Sequence, residues 1–326
     1  LKIRMEIGDR QGQGMSFNNI GSLYYHFGDY KKAIGYFGNA LKIREAIGDK
    51  RGQGITINNI GYLYDRLGEY RRTLEYYARS LKIQETIGDR WGQGITFSNI
   101  GFIHYRTGDY PKAMEYFQDA VNISSAIGDR PGHGIVLNNI GLVYRRLGDQ
   151  RKALEYFIKS LKIRETIHDR LGQGVSLNNI GKDYIESRDF KNARAYLENA
   201  EKIARKIKEK ELRQRVALSW GALILAERGK AGIKSAKIYA DEALELAREL
   251  KSNAVRAEAL LLQARVLSMD PHFSKGDKGD FNDKFKEAMA IFEKLKLPFE
   301  LAQAYYYYAE SIEFPHGDQD RSFRTS

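Results

Sequence analysis

The chain repeats itself every forty residues: Asn18-Asn19-Ile20-Gly21 returns as Asn58-Asn59-Ile60-Gly61, Ser98-Asn99-Ile100-Gly101, Asn138-Asn139-Ile140-Gly141 and Asn178-Asn179-Ile180-Gly181 without a slip in register. A fixed period of roughly twenty to fifty residues marks stacked supersecondary units, none of which can bury its apolar face alone. Fold and function therefore have to be read from one unit and from the differences between its copies.

One period resolves into two helices. In the second repeat Asp49 is placed to cap a helix whose apolar or small positions, Ile57, Ile60, Gly61 and Tyr64, follow at three-and-four spacing until Gly68 closes it in a left-handed turn. This is helix A. Glu69 stands where a second cap belongs, and Leu74, Tyr77, Ser80 and Leu81 mark the buried stripe of helix B through about Ile87. The turn between them is short enough to force an antiparallel hairpin.

Proline tests this phase independently, because it is tolerated in a first helical turn or past a helix end and not in a helix interior. Pro111 and Pro131 fall two residues after Asp109 and Asp129, Pro298 opens a late helix, and Pro271 and Pro315 follow expected helix ends.

Residues 1–208 form the regular array, a partial first unit plus five repeats, because Leu1 to Ile7 matches Leu41 to Ile47. Over 209–313 the strict period fails but hairpins continue. Glu211 to Arg228 pairs with Ile233 to Leu250, and a helix capped by Asn253 and running to Met269 pairs with Lys284 to Leu295 across a long loop, Asp270 to Asp283. Glu300 to Ile312 reads as one more helix A, and residues 314–326, with Gly317-Asp318, as the start of a further helix. On this reading the chain is a fragment cut within a unit at both ends, and Leu1, Ile3 and Tyr305 to Tyr308 are faces that expect neighbours.

The small and aromatic positions carry a resemblance. Phe17, Ile20, Gly21, Tyr24, Ala33, Phe37 and Ala40 reproduce the spacing of the tetratricopeptide repeat, and Ile57, Ile60, Gly61, Tyr64, Thr73, Tyr77 and Ser80 do so again. The match covers residues 1 to about 208. The period is longer than the family's usual one, and Gly-Asp-Arg-x-Gly-Gln-Gly replaces the usual proline after helix B, so the chain resembles the long-period arrays of the Pins/LGN group and of bacterial signalling proteins. The resemblance implies an all-α, right-handed superhelical α-solenoid that binds partners, with helix A on its concave surface, and no enzyme activity.

Candidate binding residues are then the recurring polar positions of helix A off the packing stripe. Asn19, Asn59, Asn99, Asn139 and Asn179 form one column, and an amide can pair with both the C=O and the N–H of an extended peptide. Two turns further along the same face stand His26, Arg66, Arg106 and Arg146, with Glu186 reversing the charge in the last copy. Guanidinium groups favour an acidic segment. Between the columns, Ser22, Tyr62, Phe102, Leu142 and Lys182 vary, and Tyr62 and Phe102 could supply side-chain pockets. The ordinary alternative is that the asparagines are repeat consensus and the arginines a solvated face. A second asparagine column, Asn18, Asn58, Asn138 and Asn178, is interrupted by Ser98 and suits hydrogen bonding between adjacent helices.

The expected partner is an extended acidic segment of another protein or of the chain's own parent, read by a sensor part of a larger signalling protein. The competing class is a basic nucleic-acid-binding solenoid, suggested by a net charge of +11 and a pI near 9.4. Forty-two acidic residues are interspersed with the basic ones, and no base-reading repeat code replaces the packing positions. The absence of cysteine excludes thiol catalysis and disulfides and fits a cytoplasmic setting, and there is no apolar run of membrane-spanning length. No cofactor is expected: Gly12-Gln13-Gly14 resembles part of a phosphate loop, but it and its copies stand in five places and no strand precedes them. No metal is expected from six histidines without ligand spacing, and Asp277, Asp280 and Asp283 lack the order of a calcium loop. No nucleophile and base stand out from the periodic background.

Overall fold

The computed structural model describes residues 1–250, 253–270 and 278–313, which are almost entirely helical and contain no strand. The helices are α1 (Lys2–Glu6), α2 (Arg10–His26), α3 (Tyr30–Ala46), α4 (Lys50–Arg66), α5 (Tyr70–Thr86), α6 (Arg90–Arg106), α7 (Tyr110–Ile127), α8 (Arg130–Arg146) and α9 (Gln150–Thr166). They continue with α10 (Arg170–Glu186), α11 (Phe190–Ile207), α12 (Lys210–Arg228), α13 (Ile233–Glu249), α14 (Asn253–Ser268), α15 (Lys278–Lys294) and α16 (Pro298–Glu313). Two compact units divide at His168–Asp169.

The first unit stacks the hairpins α2–α3, α4–α5, α6–α7 and α8–α9. Within each hairpin the recurrent glycine of helix A meets the aromatic ring of helix B. A Cβ added at Gly101 would lie 2.8 Å from the Phe117 ring, and one at Gly141 2.6 Å from that of Phe157. Phe37, Tyr77, Phe117 and Phe157 are accordingly buried, each contributing about 1.5–3 kcal/mol by leaving water. Ala33, Thr73, Ala113 and Ala153 sit fully buried where the helices approach.

The motif between hairpins is a joint. Gly8, Gly48, Gly88 and Gly128 take left-handed φ values, 67° to 71°. The following aspartate caps the next helix: Asp9, Asp49, Asp89 and Asp129 accept from the backbone N–H of Gly12, Gly52, Gly92 and Gly132 at 2.8–3.1 Å. A Cβ at Gly12 or Gly52 would fall 1.9 or 2.0 Å from the same carboxylate, so glycine is required there. Gln53 Nε2 then donates to the Arg44 carbonyl at 3.0 Å, and Arg44 Nη1 donates back to Gly52 O at 2.7 Å and Thr56 Oγ1 at 2.5 Å. The aspartate of the motif is thus used in capping, and its glutamine and glycine carbonyl in joining two hairpins.

The second unit opens with the last regular hairpin, α10–α11, where Gly181 packs on Leu197. Hairpins α12–α13 and α14–α15 follow, then α16. Ala236, Ala240 and Ala243 are the buried small residues of α13, as the sequence indicates. One boundary differs from that reading: α15 begins at Lys278, so Lys278 to Asp283 are helical and not part of a loop, because Phe281 and Phe285 are both buried against α14 and α16 neighbours. Asn253 is the first residue of α14 rather than its cap. Pro111, Pro131 and Pro298 fall in first turns, while Pro271, Pro315 and the tail 314–326 lie outside the described residues. Glu69 occupies a cap position but makes no capping hydrogen bond with its side chain. Leu1, Ile3, Tyr305 and Tyr306 are exposed, whereas Tyr307 and Tyr308 pack against the last core cluster.

Candidate functional site

Residues four, seven and eleven positions apart share a helix face. On α4 that face carries Ile55, Asn59, Tyr62 and Arg66; on α6, Ile95, Asn99, Phe102 and Arg106; on α8, Ile135, Asn139, Leu142 and Arg146. Helix α4 contacts α6, and α6 contacts α8, so the columns lie side by side within the first unit. The apolar position that opens each set, Met15, Ile55, Ile95 and Ile135, is one that sequence reasoning missed. Its signal was there to find: an apolar residue recurs outside the packing stripe, and Met15, Ile55 and Ile135 are exposed.

The asparagines are not equivalent. Asn19 is exposed, Asn59 and Asn139 are half-buried, and none of the three makes a side-chain hydrogen bond among the described residues. Asn99 donates from Nδ2 to Asn58 Oδ1 at 3.1 Å, and Asn58 donates to Thr96 Oγ1 at 2.8 Å, which donates to Gln84 Oε1 at 2.9 Å. At Asn58, then, the second column does bond between adjacent helices. Asn179 is buried and already engaged.

The cationic column is braced from below. Arg106 Nη1 reaches Asp65 Oδ1 at 2.5 Å and stands over the Tyr70 ring, and Arg146 Nε donates to Tyr105 Oη at 3.1 Å. Arg66 lies against Tyr62 and Tyr30; burial opposes its charge, but these phenols outweigh that and hold its pKa above the ordinary value. Burial pushes the Asp65 carboxyl up, against the lowering pull of Arg106 and then Arg66. Tyr62 remains 39% exposed and shares a 3.1 Å hydrogen bond with Tyr25, while Phe102 is half-buried and stacks on Tyr105. Of the three guanidinium groups in the column, those of Arg106 and Arg66 act on the Asp65 carboxylate. His26 is exposed at the start of the column and Glu186, in the second unit, is exposed as well.

No group of three or more His, Asp or Glu side chains is arranged to hold a metal among the described residues. Asp280 and Asp283 sit on α15, with Asp280 paired to Lys284 at 2.6 Å, and Asp277 lies outside the described residues. No described helix is long and apolar enough to cross a membrane.

A family model for the tetratricopeptide repeat matches residues 13–86 and 93–166. No curated protein matches the sequence. Among solved structures, the apo form of RapI superposes with a TM-score of 0.65 at 18% identity, covering 87% of this chain and 98% of its own. The Rap conjugation gene regulator of plasmid pLS20, in complex with the Phr* peptide, gives 0.63 at 17% identity over 92% of this chain and 75% of its own. The signal-transduction ATPase PH0952 from Pyrococcus horikoshii, with its tetratricopeptide repeat sensor, gives 0.57 at 17% identity over 93% of this chain and 45% of its own. Glycine–aromatic packing, hairpin order and the repeat model together make this chain an all-α solenoid that carries tetratricopeptide repeats over residues 13–86 and 93–166.

Proposed function

We propose that this chain is a protein-interaction scaffold that grips an extended acidic peptide segment across the helix A faces of α4, α6 and α8. The carrying observation is the state of the recurrent polar residues. Capping aspartates, joint glutamines and Asn58 are consumed in packing, whereas the amides of Asn59 and Asn139 stand half-exposed without an internal partner among the described residues. Such amides can take the C=O and N–H of a peptide backbone whatever its side chains. Beside them, the guanidinium groups of Arg66, Arg106 and Arg146 are donors of the kind that favours carboxylates. The pLS20 regulator, which shares this fold and holds a peptide, supports the peptide class of ligand. The fold of PH0952 supports a sensor role in a larger signalling protein, with the segment coming from another protein or from the same chain.

The test is a screen against displayed disordered peptides, with an Asn59→Ala/Asn139→Ala variant in parallel. Enrichment of extended acidic sequences that the variant loses, at unchanged helicity, is the expected result. Equal enrichment by both proteins would remove the amides from the site. Retention of single-stranded nucleic acid in place of peptide would favour the basic nucleic-acid-binding alternative.

A further inference from the structure

Copies of one unit should differ least where packing is shared, yet the third and fourth repeats depart at four such positions at once. Ser124 stands where other helices B carry Arg44, Gln84 and Arg164. Val136 replaces the hydroxyl of Ser16, Thr56 and Thr96, Ser98 replaces Asn18, Asn58 and Asn138, and Trp91 replaces Gln11, Arg51 and Pro131. These positions are far apart in sequence and lie on three helices, α6, α7 and α8. All four line one cavity of about 100 Å³.

The physical effect of each change is the same. In the second joint the space is filled by Arg44, bonded to Thr56, and in the third by Gln84, bonded to Thr96. In the fourth, Ser124 is too short to fill it and turns to His133 Nδ1 at 3.0 Å, while Val136 presents methyls in place of a hydroxyl. Ser98 withdraws an amide from the floor, and Trp91, 49% exposed, raises a wall. Ile95 and Ile135, of the apolar column of the helix A face, and Asn99 belong to its lining, and Ile135 is exposed, as Trp91 and Ile127 are. The cavity therefore shares Ile95, Asn99 and Ile135 with the helix A face that carries the asparagines.

We infer that this cavity is a specificity pocket for one aliphatic side chain, of the Leu, Ile or Met class, carried by the extended peptide. The inference rests on the peptide-binding reading above. An engineered apolar cavity of roughly 150 Å³ accommodates a benzene ring, so the smaller cavity here suits a branched or linear aliphatic side chain and excludes Phe and Trp. Its lining has no cation or free carboxylate aimed inward other than the capping Asp129, which is held by the backbone of Gly132. A ligand would thus be acidic along the arginine wall and carry one aliphatic anchor where it crosses between α6 and α8.

Two measurements test this. The first is fluorescence anisotropy of an acidic host peptide carrying Ala, Val, Leu, Met, Phe or Trp at one guest position. The Leu and Met guests should bind on the order of ten-fold tighter than Ala, and Phe and Trp no tighter than Ala. Ser124→Arg with Val136→Thr rebuilds the lock that the second joint already uses, so it should fill the pocket, leave the array folded, and erase the Leu-over-Ala preference while the Ala guest still binds. The second is a titration with N-acetyl-leucinamide, followed at the Trp91 indole by NMR with N-acetyl-alaninamide as control; only the leucine compound should shift it, and not in the double variant. A preference for Leu that survives the double variant, or an indole signal indifferent to the leucine compound, overturns the pocket. If no host peptide binds, the groove reading falls, and the leucinamide titration alone decides the pocket.

Discussion

Arg44 shows what a single side chain carries in this array. Its buried guanidinium joins Gly52 O, Thr56 and, at 3.7 Å, Asp49, and burial depresses its pKa while Asp49 supports it. Arg44→Ala should cost about 2–4 kcal/mol in urea unfolding, since it removes two buried hydrogen bonds and empties the space the side chain fills. Arg44→Gln should cost clearly less, because Gln84 performs the same task one joint later. Equal losses would mean that the joint depends on charge and not on its hydrogen bonds. The Asp65–Arg106 pair behaves differently. A carboxyl whose folded pKa is raised holds its proton more tightly in the folded state than in the unfolded one, so its ionisation opposes folding, increasingly as pH rises through that pKa. Arg106→Ala should therefore lose about 3 kcal/mol near pH 7, recover part of it on acidification to about pH 5, and recover most of it when Asp65→Asn is added. A deficit that does not change with pH would show that Asp65 is not the group left stranded. Neither pairing was legible in the sequence: Asp65 and Arg106 are forty-one residues apart, and Asp65 interrupts its column only once, with Tyr25, Tyr105 and Arg145 at the equivalent places.

At the level of helices and turns, the glycines divide into two kinds that the sequence alone does not distinguish. Gly35, in the middle of α3, has nothing within 4 Å of where a Cβ would stand, so Gly35→Ala should stabilise the protein by about 0.5–1 kcal/mol. Gly101→Ala should destabilise it by about 1–3 kcal/mol by driving a methyl into the Phe117 ring. Thermal unfolding of the two variants should move in opposite directions; a common direction would contradict the packing role of Gly101. Helix limits were largely readable, because aspartate caps and left-handed glycines recur in register. The exception is α15, where Lys-Gly-Asp-Phe-Asn-Asp has the composition of a loop and only Phe281, one turn before Phe285, betrays the buried stripe. His168 takes a left-handed φ of 56° where Gly8, Gly48, Gly88 and Gly128 stand in earlier copies. The period identifies that position as a turn, but nothing in a histidine announces the strain.

For the molecule as a whole, stability in a stacked array is a sum of unit and neighbour contributions, so protection should be graded along it. Helix α1 buries none of its residues, while α6 and α7 enclose Ile100, Ile103 and Phe117. Amide exchange should be fastest in α1 and slowest around α6–α7; uniform protection would indicate one cooperative block. The net charge of +11, with three arginines in one column, adds a second expectation: affinity for an acidic peptide should fall steeply between about 0.05 and about 0.5 M salt, as screening shortens the reach of the arginines. The fold class was fully visible in the period. The cavity beside Asn99 was not, because four substitutions spread over residues 91–136 acquire a common meaning only when three helices bring them together.

The joint has a consequence for how such a chain can change length. Each glycine, aspartate and glutamine of the motif closes the seam between the hairpin before it and the hairpin after it, and nothing in that seam refers to any more distant unit. A tandem duplication or loss of forty residues would therefore restore every cap and every packing glycine in phase, whereas a change of any other size would break one. The binding face grows or shrinks by whole rungs, like a ruler extended by its own graduation, and a lineage can alter how long a segment it reads before altering how it reads any part of it.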